Sequence, residues 1–252
     1  MTTSLPILGL TRDAFTGADG RLADYRRVFR DGALPDGASL PDVAVARVQE
    51  EGETTKFALR LPDGVEVESV ILPQTGTTGR RRVTLCVSSQ VGCAMGCTFC
   101  ETAQMGLLRN LSVEEIVAQW HVARFEFDEN ITNIVFMGMG EPLDNVGAVI
   151  ESIRILSCND GPAIPSSRIT VSTVGRVEGI RKLAVLGRET GFRNVRLAVS
   201  LNAPNDDIRS SIMPLNKSTS MQPLMDAMLE WSEDGRRRVL VEYVLILSLI
   251  HI

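Results

Sequence analysis

Five cysteines, at positions 86, 93, 97, 100 and 158, are the residues of this 252-residue chain best suited to chemistry. Three of them fall close together, as Cys93-x3-Cys97-x2-Cys100. An odd number crowded in this way is a poor disulfide framework and points instead to a metal or redox centre. Structural zinc sites want four ligands, usually as two separated pairs, and no second CxxC is present. A [4Fe–4S] cluster usually takes four thiolates, so three leave one iron open for another molecule. A zinc-binding RNA-interaction module is the non-enzyme alternative. Gly92 and Gly96 suit a loop wrapped tightly around a cluster, and Phe99 stands where it could shield one. Two histidines, His121 and His251, are too few for a His-rich metal site or a His-centred triad.

The elements that must position these thiols follow from the hydrophobic pattern. Residues 1–50 are rich in Gly, Pro, Asp and Ala and predict one short helix around Leu22–Phe29. KFALRLPDG and VEVESVILP alternate about a Pro-Asp-Gly turn and predict a β-hairpin. After Arg82 strands alternate with helices. VTLCVSS (83–89) reads as the first strand. Ser112 and Glu115 form a capping box ahead of a helix. NIVFMG, RITVST (168–173), VRLAVSL (195–201) and VLVEYVLIL (239–247) read as strands. Helices are expected at Val146–Leu156, Val177–Leu186, Asp206–Ile212 and Met221–Trp231. The expected class is α/β, a partial (βα) barrel, preceded by a small N-terminal region with a β-hairpin. The expected divisions are 1–50, 51–82 and 83–252.

In such a barrel chemistry gathers at the C-terminal strand ends. The cysteine loop follows the first strand. The second ends in MGMGEP, the third in STVG and the fourth in SLNAPND. Radical enzymes use the open iron of a three-cysteine cluster to chelate S-adenosylmethionine (SAM). Gly140 and Glu141 would then hold the SAM ammonium group, and Ser172 with Ser200, Leu201 and Asn202 its ribose or carboxylate. Arg80–Arg82, Arg236–Arg238, Lys56 and Arg109 could form a phosphate-binding rim.

CVSSQVGCAMGCTFCETAQMGLLRNL (86–111), GMGEPLDN (138–145), RITVSTVG (168–175) and SLNAPNDDIR (200–209) together closely resemble the radical-SAM methyltransferases that modify C2 of an adenine in 23S ribosomal RNA, the RlmN and Cfr group. The similarity covers roughly residues 55–245. The resemblance implies that Cys93, Cys97 and Cys100 ligate a [4Fe–4S] cluster. It implies that Gly140, Glu141, Ser172 and residues 200–202 contact SAM. Cys86 matches the cysteine that resolves an enzyme–RNA adduct, and Glu68 a general base. In the family one SAM methylates a C-terminal cysteine and a second is cleaved to a radical, which activates that methyl group for addition to the adenine. Implied partners are 23S rRNA, with transfer RNA a second candidate, and a low-potential electron donor such as flavodoxin. A radical-SAM enzyme of the same barrel with another substrate is the competing enzyme reading.

The composition is ordinary for a globular chain, with 44% hydrophobic and 23% charged residues and a net charge of −5. That balance excludes disorder and a protein coated in positive charge, but leaves room for a local basic patch. No apolar run approaches the ~20 residues of a membrane span, and MTTSLPILGLTRDAF lacks the basic start of a signal peptide. A cytoplasmic monomer is expected. Three departures from the family stand out. No cysteine follows Cys158, so the methyl-carrying thiol is missing. The family pattern breaks after VEYVL (241–245) into ILSLIHI. Asn202 stands where the family commonly has histidine, and the N-terminal region is short. The expectation is a truncated, inactive fragment.

Overall fold

The structure, a computed structural model, describes residues 4–76, 79–232 and 237–245. One eight-stranded mixed sheet organises it. Its strands are β1 (Ala44–Glu51), β2 (Thr54–Arg60), β3 (Glu66–Thr75), β4 (Arg81–Cys86), β5 (Asn133–Phe136), β6 (Ile169–Thr173), β7 (Arg196–Ser200) and β8 (Val239–Glu242). They pair in sequence order. β1 to β4 are antiparallel, and β4 to β8 are parallel. The parallel half is the expected partial βα barrel. The expected hairpin is β2–β3, closed by Leu61 N–H to Val65 O at 2.8 Å. It extends the barrel sheet without a break at residue 82.

β1 was not legible in the sequence. It lies at the sheet edge with most of its residues exposed, so it lacks the buried alternation that marks a strand. Charged side chains such as Arg47, Glu50 and Glu51 discourage a further strand from pairing there.

The parallel strands are short and apolar because helices cover one face. These are α2 (Val113–Phe125), α3 (Val146–Ser157), α4 (Val177–Leu186) and α6 (Met221–Ser232); α1 (Leu22–Asp31) precedes them in the chain, and a short α5 (Asp206–Ile212) follows β7. α2 starts as expected. Ser112 Oγ accepts from Glu115 N–H, and Glu115 returns a carboxylate oxygen to Ser112 N–H. It is buried nearly all round because the N-terminal segment Ile7–Gly9 and α3 pack against it, and Phe29 of α1 meets its Trp120 with ring centroids 6.0 Å apart. The N-terminal region is thereby part of the core.

Register separates the two sheet faces. Leu85, Ile134, Phe136, Val171, Leu197 and Val199 turn to the helices and are fully buried. Cys86, Val135, Thr170, Ser172, Ala198, Ser200 and Glu242 share the other, concave face. The expected strand over 239–247 ends at Glu242, and residues 246–252 lie outside the described residues, as does Arg236.

At the end of β4 the backbone leaves the sheet inside the protein, where its polar groups need internal partners. Gln119 of α2 supplies them. Its Oε1 accepts from Ser88 N–H and from Ser69 Oγ, both at 2.7 Å, and its Nε2 donates to Ser88 O at 2.9 Å. Gln119→Leu keeps the bulk and strands three buried groups. The expected loss is about 3 kcal/mol, read as a lower urea midpoint at unchanged slope.

Candidate active site

Beyond β4 the chain folds back on itself. Ser88 Oγ donates to Glu68 O at 2.6 Å and accepts from Met139 N–H at 2.9 Å. Ser89 and Gln90 N–H both donate to Met139 O. Gln90 Oε1 accepts from Glu141 N–H at 2.7 Å, and Asn145 Nδ2 donates to the carbonyls of Ser89 and Leu111. The loops after β4 and β5 are thus sewn together by buried polar groups. The close approach demands glycine. A Cβ on Gly140, at φ +98°, would fall 2.5 Å from the Gln90 side chain, and one on Gly92, at φ +75°, would strike Gly106 O.

Gly92 closes a two-stranded ribbon, Gln90–Gly92 with Leu107–Asn110, and the cysteine loop hangs from it. Cys93 and Cys97 are buried in a small apolar pocket with Met95, Ala203, Ile212 and Met213, and Cys100 packs at its edge. Thr98 N–H donates to Ile212 O at 2.9 Å, docking the loop on the C-terminal end of α5. Phe99, between the second and third cysteines, is 38% exposed.

Burial pushes the Cys97 thiol up to about 11 and raises Cys93, and Cys100 raises both further. Such thiols are weak acids until a metal displaces their protons. Among the described residues no three His, Cys, Asp or Glu side chains stand close enough to share one ion. A cubane cluster takes each thiolate on a different iron, so its ligands sit further apart than those of a single zinc. Three thiols with no oxygen or nitrogen donor among them, walled by apolar side chains, fit an iron–sulfur cluster.

Arg209 is the cation nearest this pocket, and its charge favours the Cys97 thiolate. It is 1% exposed and makes no direct ion pair among the described residues, the Asp206 carboxylate reaching it through Asn216. Its guanidinium donates to Leu201 O at 3.1 Å, Asn216 Oδ1 at 2.8 Å, Ser200 O and Val174 O. One side chain therefore gathers the ends of β6 and β7 beneath the cysteine loop. It lies in the quoted SLNAPNDDIR segment, yet its spacing on a short polar helix gave no sign of burial.

The expected SAM-binding residues line these strand ends. Ser172 Oγ and Ser200 Oγ both donate to Glu242 Oε2, at 2.7 and 3.0 Å. Leu201 and Asn202 N–H donate to Glu242 O, and Asn202 Oδ1 accepts from Val244 N–H at 3.0 Å. Asn202 sits at φ +58°, a conformation asparagine tolerates better than most residues. Glu242 was missed, although a carboxylate ending the apolar run VLVE was the available signal. Glu141 is 2% exposed and lifted to about 7 by burial, against hydrogen bonds from Val174 and Leu143 N–H. Both its carboxylate oxygens are engaged by these backbone groups, so it latches the loops after β5 and β6.

Cys86 ends β4 opposite Val70 of β3. Glu68, two residues from Val70, shares the concave face with Cys86. Burial raises the Cys86 thiol to about 11. The Glu68 carboxylate is half-exposed and pairs with Lys56 Nζ at 3.1 Å. The expected basic rim does not assemble as one surface. Lys56 is taken by Glu68, and Arg109 by Asp63 and Glu115, because neighbouring strands and the capping box bring carboxylates to both. Arg80–Arg82 and Arg238 lie at the N-terminal starts of the strands.

Comparison with known proteins agrees with this geometry. The family model described as the Radical SAM superfamily matches residues 87–249. A probable dual-specificity RNA methyltransferase RlmN 1 of Protochlamydia amoebophila (strain UWE25) is 44% identical over 215 residues, which is 85% of this chain and 56% of that protein. The dual-specificity RNA methyltransferase RlmN of Campylobacter jejuni subsp. jejuni serotype O:23/36 (strain 81-176) is 44% identical over 217 residues, 82% of this chain and 60% of that one. The chain thus spans less than two thirds of the length of these curated relatives. The crystal structure of a radical SAM methyltransferase from Sphaerobacter thermophilus superposes with a TM-score of 0.83 at 36% identity, covering 96% of this chain and 76% of that one. A three-thiol pocket at the strand ends of a partial barrel, together with this likeness in sequence and in structure, means that the chain belongs to the radical SAM superfamily.

Proposed function

We propose that this chain is the barrel of a radical-SAM RNA methyltransferase that modifies C2 of an adenine in 23S ribosomal RNA, with transfer RNA as a second substrate. The observation that carries the reading is the apolar pocket of three cysteines beside a concave face of hydroxyls and carboxylates. The printed names of the relatives favour RNA over another substrate for the same barrel.

Cys93, Cys97 and Cys100 would hold a [4Fe–4S] cluster. When bound, the cluster supplies the electron that breaks the sulfonium bond of SAM. Ser172, Ser200, Leu201 and Asn202 would bind SAM, their hydroxyls oriented by Glu242. Gly140 and Glu141 would border it, with Glu141 holding the two loops at a fixed separation. Burial keeps Cys86 a neutral thiol until it resolves the adduct, and Glu68, on the same sheet face, would accept the proton from the substrate carbon. The apolar walls of the cysteine pocket would keep water from a bound cluster. A low-potential donor such as flavodoxin would supply electrons to this cytoplasmic monomer. No helix among the described residues is long and apolar enough to cross a membrane.

The chemistry also needs a thiol to carry the methyl group. Cys158 caps the far end of α3 and faces the N-terminal segment at Thr11–Asp13. It is too remote for that task, so the 252 residues by themselves would not turn over.

Anaerobic reconstitution tests the pocket. The expected result is about four irons per chain with a brown charge-transfer band. Cys93→Ala, Cys97→Ala and Cys100→Ala should each abolish it, while Cys86→Ala and Cys158→Ala retain it. One tightly bound zinc and no colour would overturn the reading. Glu242→Ala should weaken SAM binding about tenfold in equilibrium dialysis of the reconstituted protein, with iron content unchanged. Equal affinity in the variant would remove Glu242 from the site.

A further inference from the structure

The arginines of this acidic chain are unevenly partnered. Over most of the surface they meet carboxylates: Arg12 and Arg26 share Asp160, Arg47 and Arg60 share Glu66, Arg154 meets Glu189 and Arg181 meets Glu230. Arg80, Arg82, Arg168, Arg193, Arg196 and Arg238 make no ion pair among the described residues. All six lie together. Arg82 is the second residue of β4, Arg168 directly precedes β6, Arg196 opens β7 and Arg238 directly precedes β8. Arg80, Arg82, Arg168 and Arg196 line a cavity of about 750 Å³ with Thr132 and Asn133 at the start of β5. Arg193, Arg196 and Arg238 line an adjoining one of about 420 Å³, and the two share Ser167 and Arg196. Among the described residues Glu53 is the one carboxylate on either wall, and Arg81 in the same cavity is paired with Glu129.

Six guanidinium groups gathered around a single carboxylate among the described residues repel one another, and the arrangement is relieved by an anion. Guanidinium forks match phosphate oxygens in pairs. Adjacent strands are ~4.8 Å apart, so the four intervals from β4 to β8 spread the row over roughly 19 Å of sheet. A nucleic acid strand offers a phosphate about every 3.4 Å of axis. The row can therefore meet several successive phosphates, whereas a mononucleotide would engage only one end of it. We propose that the N-terminal edge of the parallel strands is a phosphodiester-binding surface for the substrate RNA, separate from the cysteine loop and the serine hydroxyls at the C-terminal ends. It holds the backbone without reading sequence, while the target base enters at the other end of the strands. The inference rests on the RNA methyltransferase reading and adds to it a second point of attachment.

Fluorescence anisotropy with a labelled RNA stem-loop, measured on the reconstituted 252-residue chain at several salt concentrations, tests it. Arg82→Gln/Arg168→Gln/Arg196→Gln should weaken binding at least about tenfold at low salt and flatten the log K against log salt slope by about 2. The triple lysine variant at the same positions should keep most of the affinity. Arg47→Gln/Arg60→Gln/Arg181→Gln, which removes the same charge from paired sites, should bind as the parent does. Iron content and circular dichroism equal to the parent's establish that the variants are folded. If the parent binds RNA and the triple glutamine variant binds it equally well with the same slope, the surface is wrong and the RNA reading stands. If the parent binds no RNA at low salt but binds tripolyphosphate, and the glutamine variant loses that, the site is for a small anion and both the RNA surface and the RNA reading fall.

Discussion

The architecture depends on how the chain leaves β4. A parallel strand that ends inside a protein leaves carbonyl and N–H groups that water cannot reach, and each unpaired group costs about as much as a lost hydrogen bond. Here the debt is met by side chains. Gln119 covers both polar groups of Ser88, Asn145 covers the carbonyls of Ser89 and Leu111, and Gln90 receives the N–H of Glu141. Each of these amides comes from a different element, so satisfying the end of β4 also fixes α2, the ribbon below the cysteine loop and the loop after β5 in one arrangement. Buried backbone groups satisfied from several elements at once specify a single geometry in this way.

The thiol pocket follows from that arrangement. The ribbon projects the cysteine loop over the strand ends, and glycine at 92 and 140 permits contacts that a Cβ would forbid. On the far side α5 receives the loop through Ile212 O, and α5 is itself held by Arg209. Its guanidinium is bound to carbonyls and to Asn216, which also donates to the Asp206 carboxylate, so a buried positive charge is held here with its counter-charge one residue removed. That charge favours the thiolate form of Cys97 in the apolar pocket beside it. The same side chain thus closes the barrel's strand ends and sets their electrostatics.

The concave face shows a different division of labour. Ser172, Ser200 and residues 201–202 all meet Glu242, so the last described strand holds the residues that the other strands present. Glu141 does the corresponding work between β5 and β6. Carboxylates that at first sight would touch a ligand are thereby also the ties that keep strand ends in register. The two roles coincide because strand ends are where both unsatisfied backbone groups and ligands occur.

The order of strands and helices from β2 onward was legible because burial on one face or both imposes periodicity on local sequence, as in Val177–Leu186 and Asp206–Ile212, whose limits match the pattern residue for residue. The three-cysteine spacing was legible for a related reason, since ligands of one cluster on one loop are neighbours in sequence. The exposed strand β1 left no such trace, because neither of its faces is buried deeply enough to select apolar residues. Nor could local pattern reveal Gln119, Arg209 or Glu242, whose partners lie far along the chain. The docking of α1 on Trp120, the sharing of one sheet face by Cys86 and Glu68, and the gathering of unpaired arginines at strand starts were likewise decided by tertiary structure alone. Sequence determines what a residue can bond and where the chain turns, but only the strand register and the packing of helices over it decide which distant groups meet.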